Sequence, residues 1–191
     1  WNDFCDNYLE LVKVRAYAEE EGTTVQGQIS AVHTIYHCLD GILRLFAPFV
    51  PHVTEELYSH IFEERSKTFG GSIHARNTWP KVQDYPEDEI AEKAGIACVS
   101  VLDAVRKLKA EKNVSLKKPL ELLGVTVDKK GEGDEVSMLI DDLKNVTNAR
   151  EIFVDFGTGH GVHKAKDGCE SAVTEDKRFA VNVRFVEEEE V

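Results

Sequence analysis

Apolar residues recur every three or four positions through the first half of the chain and every second position in much of the remainder. Trp1, Phe4, Cys5, Tyr8, Leu11 and Val12 keep the i, i+3, i+4, i+7 spacing, with Asn2, Asp3, Asp6, Glu10 and Lys13 between them. This pattern predicts an amphipathic helix that fades near Ala18 and is closed by Gly22. A second helix is predicted from Val25 to Ala47, with Ile35, Leu39, Ile42 and Phe46 inward and His33, His37, Asp40 and Arg44 on the opposite, solvated side. Pro48 and Pro51 then force a bend, because a proline ring blocks the preceding helical hydrogen bond. A third helix starts near Pro51 and points Val53, Leu57, Tyr58, Ile61 and Phe62 inward. A long loop, 66–85, carries Gly70-Gly71 and Trp79-Pro80. A fourth helix follows Pro86, with Glu87, Asp88 and Glu89 where the helix dipole favours anions, and with Ile90, Ala94, Cys98, Val101, Val105 and Leu108 as its stripe.

The period changes near Leu116–Leu120. Leu120–Val127, Glu151–Phe156 and Phe179–Val186 read as strands, and Glu135–Asn145 reads as a helix with Val136, Leu139, Ile140 and Leu143 inward. The expected fold is mainly α: an antiparallel helical bundle over 1–115, followed by a small α/β subdomain over 116–191 with an acidic tail. Each helical stripe is expected to find its partners within 1–115.

Composition narrows the class. With 42% hydrophobic residues in 191 positions the chain can bury a core. No apolar run reaches a membrane span, and no signal peptide is seen, so a cytoplasmic, monomeric protein is expected. The start at Trp1, inside a helical pattern, suggests a piece of a longer protein. Cys5, Cys38, Cys98 and Cys169 form no C-x-x-C pair and are expected to be reduced thiols. The net charge of −12 argues against nucleic acid as a whole. Its distribution does not: Arg106, Lys107, Lys109, Lys112, Lys117 and Lys118 form a local basic strip, and salt screens acids farther away than about 8–10 Å.

Searches for catalytic chemistry come back empty. His33 and His37 have the i, i+4 spacing of helical metal ligands, but lack the H-E-x-x-H glutamate and a third ligand. His160 and His163 sit in a Gly-rich turn. The chain has no phosphate-binding glycine loop and no nucleophile elbow, and neither a catalytic residue nor a metal site is expected. His160-Gly-Val-His163 and Lys112-Asn-Val-Ser-Leu-Lys117 only superficially approach known nucleotide-binding motifs.

Three other segments carry a specific likeness. Cys5-Asp-Asn-Tyr-Leu-Glu-Leu-Val-Lys13 with Arg15-Ala-Tyr17 resembles the helix that begins the anticodon-side bundle of valyl-tRNA synthetases, in the Asp-Asn-Tyr form of the archaeal-type branch. Leu43-Arg-Leu-Phe-Ala-Pro-Phe-Val-Pro-His-Val-Thr-Glu-Glu-Leu57 resembles the bend and helix shared by the valyl, isoleucyl and leucyl enzymes. Ser72-Ile-His74 with Trp79-Pro80 is similar to the loop that follows. These segments stand in family order over about residues 1–80; beyond about 116 the likeness is thin, and no coiled-coil arm is expected.

The resemblance implies the anticodon-binding part of a class I synthetase, of the valyl kind, whose whole enzyme attaches valine to its tRNA with ATP. The implied partners are valine tRNAs and a catalytic domain elsewhere in the same chain; no cofactor belongs to this part. Lys13, Arg15, Arg44, Trp79 and the strip Arg106, Lys107, Lys109, Lys112, Lys117 and Lys118 are the candidate RNA contacts. For each, a structural reading stands beside the functional one: Trp79 as a lid on the bundle, Asp40–Arg44 as a surface pair, the strip as a solvated helix end. The isoleucyl or leucyl counterpart, and a protein-interaction module on the same bundle, stay open as alternatives.

Overall fold

The computed structural model describes residues 3–18, 24–62, 72–74, 79–157 and 168–186. A π-helical stretch, Asp3–Tyr8, leads into α1 (Leu9–Tyr17). Then come α2 (Val25–Phe46), α3 (Pro51–Ile61), a 3-10 turn (Val82–Asp84), α4 (Glu89–Glu111), β1 (Leu120–Val127), α5 (Lys130–Ser137), α6 (Ile140–Thr147), β2 (Ala149–Phe156), β3 (Glu170–Val173) and β4 (Phe179–Phe185). Packing groups them into two compact units, Trp1–Val14 with Asp88–Val191, and Arg15–Glu87.

In the unit of 15–87, Thr24 caps α2 by accepting from the Gly27 amide at 3.0 Å. Pro51 opens α3 in the first helical turn, where a missing N–H costs nothing. Leu43, Ala47, Tyr58, Phe62 and Ile73 form its core, with Tyr58 and Phe62 stacked at 5.0 Å. Glu55 ties the following loop down: its Oε2 accepts from Ser72 Oγ at 2.7 Å and from the Ile73 amide at 3.2 Å.

The inward face of α2 differs from the one its apolar stripe predicts. Asp40 and Arg44 are buried, at 3% and 7% exposure, whereas Phe46 is 45% exposed. The residues around Asp84 explain this. Arg44 Nη1 lies 3.4 Å from Asp40 Oδ2 and 3.8 Å from Asp84 Oδ2, and Tyr85 lies over Gly41 so closely that a Cβ there would be 2.0 Å from its hydroxyl. A charged pair is tolerated inside because a second carboxylate and a covering ring complete it. The Asp40–Arg44 pair is therefore a buried one and not the expected surface pair. Likewise only Tyr58 and Phe62 of the expected α3 stripe are buried; Val53, Leu57 and Ile61 are 60%, 42% and 43% exposed.

In the other unit the sheet order is β2-β1-β4-β3, with β1 and β2 parallel and the remaining pairs antiparallel. The parallel pair needs a crossover, which α5 and α6 supply. Ala97, Cys98, Val101, Val105 and Leu108 of α4 share one core with Leu11, with Leu123, Val125 and Val127 of β1 and with Val181 and Val183 of β4. The stripe of α4 thus buries largely against the sheet, and of the partners expected within 1–115 it shares this core with Leu11. Ile90, expected on that stripe, is 65% exposed.

The single helix expected over 135–145 is two helices, broken at Leu139, whose φ of −122° and ψ of 25° leave the helical region. β3, a four-residue strand, carries too little alternation to be foreseen. At Gly133 a Cβ would meet the Phe156 ring at 3.2 Å and Val127 Cγ2 at 3.3 Å, so close packing of α5 on the sheet selects glycine there. Asp88 caps α4, accepting from the Ile90 and Ala91 amides at 3.0 and 3.1 Å.

Candidate nucleic-acid interface

The connection from α4 to β1 carries Lys112, Lys117 and Lys118 of the basic strip, and its shape follows from local chemistry. Asn113 takes φ 55°, the left-handed conformation that asparagine tolerates at a helix end. The Val114 amide then reaches back to the Lys109 carbonyl at 3.0 Å, and the Lys118 amide closes a turn on the Ser115 carbonyl at 2.9 Å. Ser115 Oγ accepts from the Lys117 amide at 3.2 Å. Inside this loop lies the Lys109 ammonium, 2% exposed, donating to the carbonyl oxygens of Leu116 at 2.8 Å, Lys118 at 2.8 Å and Thr147 at 3.1 Å. An ammonium has three donors, and three carbonyls take them. Burial pulls its pKa down to about 8.

The ten candidate RNA residues separate sharply in surroundings. Lys109 is inside and holds the loop. Arg106 donates from Nη1 to Asn7 Oδ1 at 2.7 Å and from Nη2 to the Asp6 carbonyl at 2.8 Å, tying α4 to the π-helical start of the chain. Lys107 lies on another side of α4, lining a small cavity with Ser100, Asp103, Val173 and Glu175. Lys112 pairs with Glu170 at 2.5 Å, Lys13 with Glu10 at 3.5 Å, and Lys117 is exposed beside the half-buried Lys118. In the unit of 15–87, Arg44 is the buried residue described above, the Arg15 side chain lies beside Gly27, and Trp79 is 56% exposed. A run of cations along the sequence is thus not a strip in space, since successive helical residues point about 100° apart.

A cleft of 510 Å³ opens where α1, α4, the basic loop and the end of α6 meet. Val14, Leu102, Val105, Leu116 and Val146 give it aliphatic walls, and Lys13, Arg106, Lys117, Asn145 and Asn148 give it polar ones. The sequence reading did not single out Asn145 or Asn148. Their i, i+3 spacing at a helix end was the available signal.

His33 and His37 face each other with ring centroids 5.3 Å apart, and no group of three or more potential metal ligands occurs among the described residues. His160 and His163 lie outside the described residues. Cys98 is buried and its thiol is pushed up to about 12, mainly by that burial. No described helix is long and apolar enough to cross a membrane.

Comparison with known proteins decides the family. The model of the anticodon-binding domain of tRNA ligase matches residues 1–123. The chain belongs to this family of anticodon-binding domains. It is also similar to proteins named valine–tRNA ligase: 46% identical over 153 residues to that of Rickettsia rickettsii (strain Sheila Smith), 45% over 159 residues to that of Rickettsia felis, and 41% over 168 residues to that of Orientia tsutsugamushi. These matches cover 80%, 82% and 84% of the chain but only 17%, 17% and 19% of the relatives. The chain therefore spans less than a fifth of the length of these ligases. The family match includes the basic loop and the first residues of β1.

Proposed function

We propose that this anticodon-binding domain is the tRNA-gripping part of a valine–tRNA ligase, a larger enzyme that joins valine to its tRNA with ATP. The observation that carries the reading is the pairing of the family match over 1–123 with 46% identity to a valine–tRNA ligase. Adenylation belongs to another part of the longer chain, since the sequence lacks both nucleotide motifs of class I synthetases. In functional terms the helices within 1–115 are the anticodon-binding part, and 116–191 supplies the sheet that completes the core under α4. Lys13, Lys117 and Lys118 are phosphate contacts near the end of α6, and Lys107 and Lys112 are phosphate contacts near β3. Arg15 and Trp79 serve the other unit. Arg106, Lys109 and Arg44 act by holding the backbone that presents these residues.

The exposed apolar residues Phe49, Val53, Leu57 and Ile61 fit the same reading. Such a patch on α3 and the preceding bend suits coverage by the rest of the ligase. The test is binding of the chain to transcripts of valine, isoleucine and leucine tRNAs. Tighter binding of the valine tRNA, lost when its anticodon is replaced, is expected. Preference for the isoleucine or leucine tRNA would move the chain to that enzyme, and equal weak binding of all three would remove anticodon reading.

A further inference from the structure

We propose that the cleft between α1, α4 and α6 is a nucleotide pocket that takes one unpaired base of the tRNA loop, an assignment that rests on the anticodon-binding reading. Three features of the cleft converge on that ligand. Its walls are aliphatic: Val14 from α1, Leu102 and Val105 from α4, Leu116 from the loop and Val146 from α6. Its volume of 510 Å³ lies within the range of about 300–1,000 Å³ typical of small-ligand pockets. A base splayed from a loop needs protein surface against its faces, which the aliphatic walls and Arg106 provide here.

The rim supplies what the edges of a nucleotide need. Asn145 and Asn148 carry amide groups, each with donors and an acceptor, the complement of a base's hydrogen-bonding edge. Asn148 Nδ2 leans on the Lys117 carbonyl at 3.4 Å, which leaves its Oδ1 to accept. Lys13 and Lys117 add exposed cations to the lining for the phosphates flanking an extruded base; Glu10, the one carboxylate in the lining, pairs with Lys13 at 3.5 Å. On a chain of net charge −12, such a local cationic excess beside an apolar slot suits an anionic ligand with an apolar face.

Lys109, part of the lining, makes the pocket rigid. Its three hydrogen bonds join α4 to Leu116 and Lys118 on one side and to Thr147 on the other, so the wall residues Leu116 and Val146 are held by a single ammonium. A pocket preorganised in this way spends less of its binding free energy on ordering.

The test uses the 191-residue chain, the anticodon stem-loop RNA of a valine tRNA, and a set of the same RNA with one loop base at a time removed. Leu116→Trp fills the cleft from a position that is 55% exposed, so folding should survive, and a melting curve checks it. Asn145→Ala removes one amide without filling the space. The expected result is a loss of binding of about tenfold or more for Leu116→Trp, and a smaller loss for Asn145→Ala. One abasic position should weaken binding to the wild-type chain and add nothing in Leu116→Trp. Wild-type affinity in a folded Leu116→Trp, with preference for the valine stem-loop kept, would overturn the pocket and leave the anticodon reading standing. No preference for the valine stem-loop by the wild-type chain would overturn both.

Discussion

The Lys109 ammonium donates to the Thr147 carbonyl across 3.1 Å, joining the C-terminal turn of α4 to the last residue of α6. With its bonds to Leu116 and Lys118, this lysine stands where three carbonyls from two backbone segments converge. Replacing it by Met keeps the volume but leaves three inward-facing oxygens without that donor. Unsatisfied buried polar groups cost about 1–3 kcal/mol each, with partial relief from relaxation, so Lys109→Met should destabilise by about 2–4 kcal/mol in urea unfolding. An unchanged midpoint would mean that water replaces the ammonium freely.

The same residue fixes a pH dependence. Its folded pKa is lowered to about 8, against 10.5 for an ordinary lysine, so between pH 8 and 10.5 the unfolded state binds more protons. Stability of the wild-type chain relative to Lys109→Met should therefore rise with pH across that window, by about 3 kcal/mol at most. Urea midpoints of both chains at several pH values measure it, and a flat difference would contradict the lowered pKa.

Gly41 in α2 makes a test with an unusual sign. Glycine to alanine inside a helix normally stabilises by about 1 kcal/mol. Here the new Cβ would sit 2.0 Å from the Tyr85 hydroxyl. Gly41→Ala should instead destabilise by about 1–3 kcal/mol, through displacement of Tyr85 and of the neighbouring Asp84 from Arg44. In a Tyr85→Ala background the same change should be close to neutral or stabilising, as a double-mutant cycle would record.

The exposed cations give an electrostatic prediction. Changing Lys13, Lys112 and Lys117 together to Ala should weaken tRNA binding with little sequence bias. The log–log salt slope should shrink by about two units if most of the three contact phosphate. Thermal stability should move little, because exposed substitutions usually stay within about 0.5 kcal/mol each. An unaltered slope in the folded triple variant would place the RNA on the side of Arg15 and Trp79.

A chain ended after Lys118 tests whether the functional division near 115 is also a folding division. It would strip β1 and β4 from Ala97, Cys98, Val101, Val105 and Leu108. The expected product is helical by circular dichroism, binds hydrophobic dyes and unfolds without a sharp transition. Cooperative unfolding of that shortened chain would show that α4 finds other partners.

Most helices and strands (β3 and the break at Leu139 excepted), the bend at Pro48 and Pro51, most of the stripe of α4 and the family likeness of the first 80 residues were legible in the chain, because period, proline stereochemistry and short motifs are local properties. The α2 face was misjudged because burial of Arg44 depends on Asp84 and Tyr85, which lie 40 positions onward and reach it only through the fold. Lys109 and Lys112 look alike in sequence, yet one is caged by three carbonyls and the other pairs with Glu170 at the surface. The cleft draws its walls from four stretches of chain, so no window of sequence contains it. Sequence determined which elements form and to which family they belong; tertiary structure decided which charges remain at the surface to meet a ligand, because burial is settled by whichever distant groups arrive to satisfy each charge.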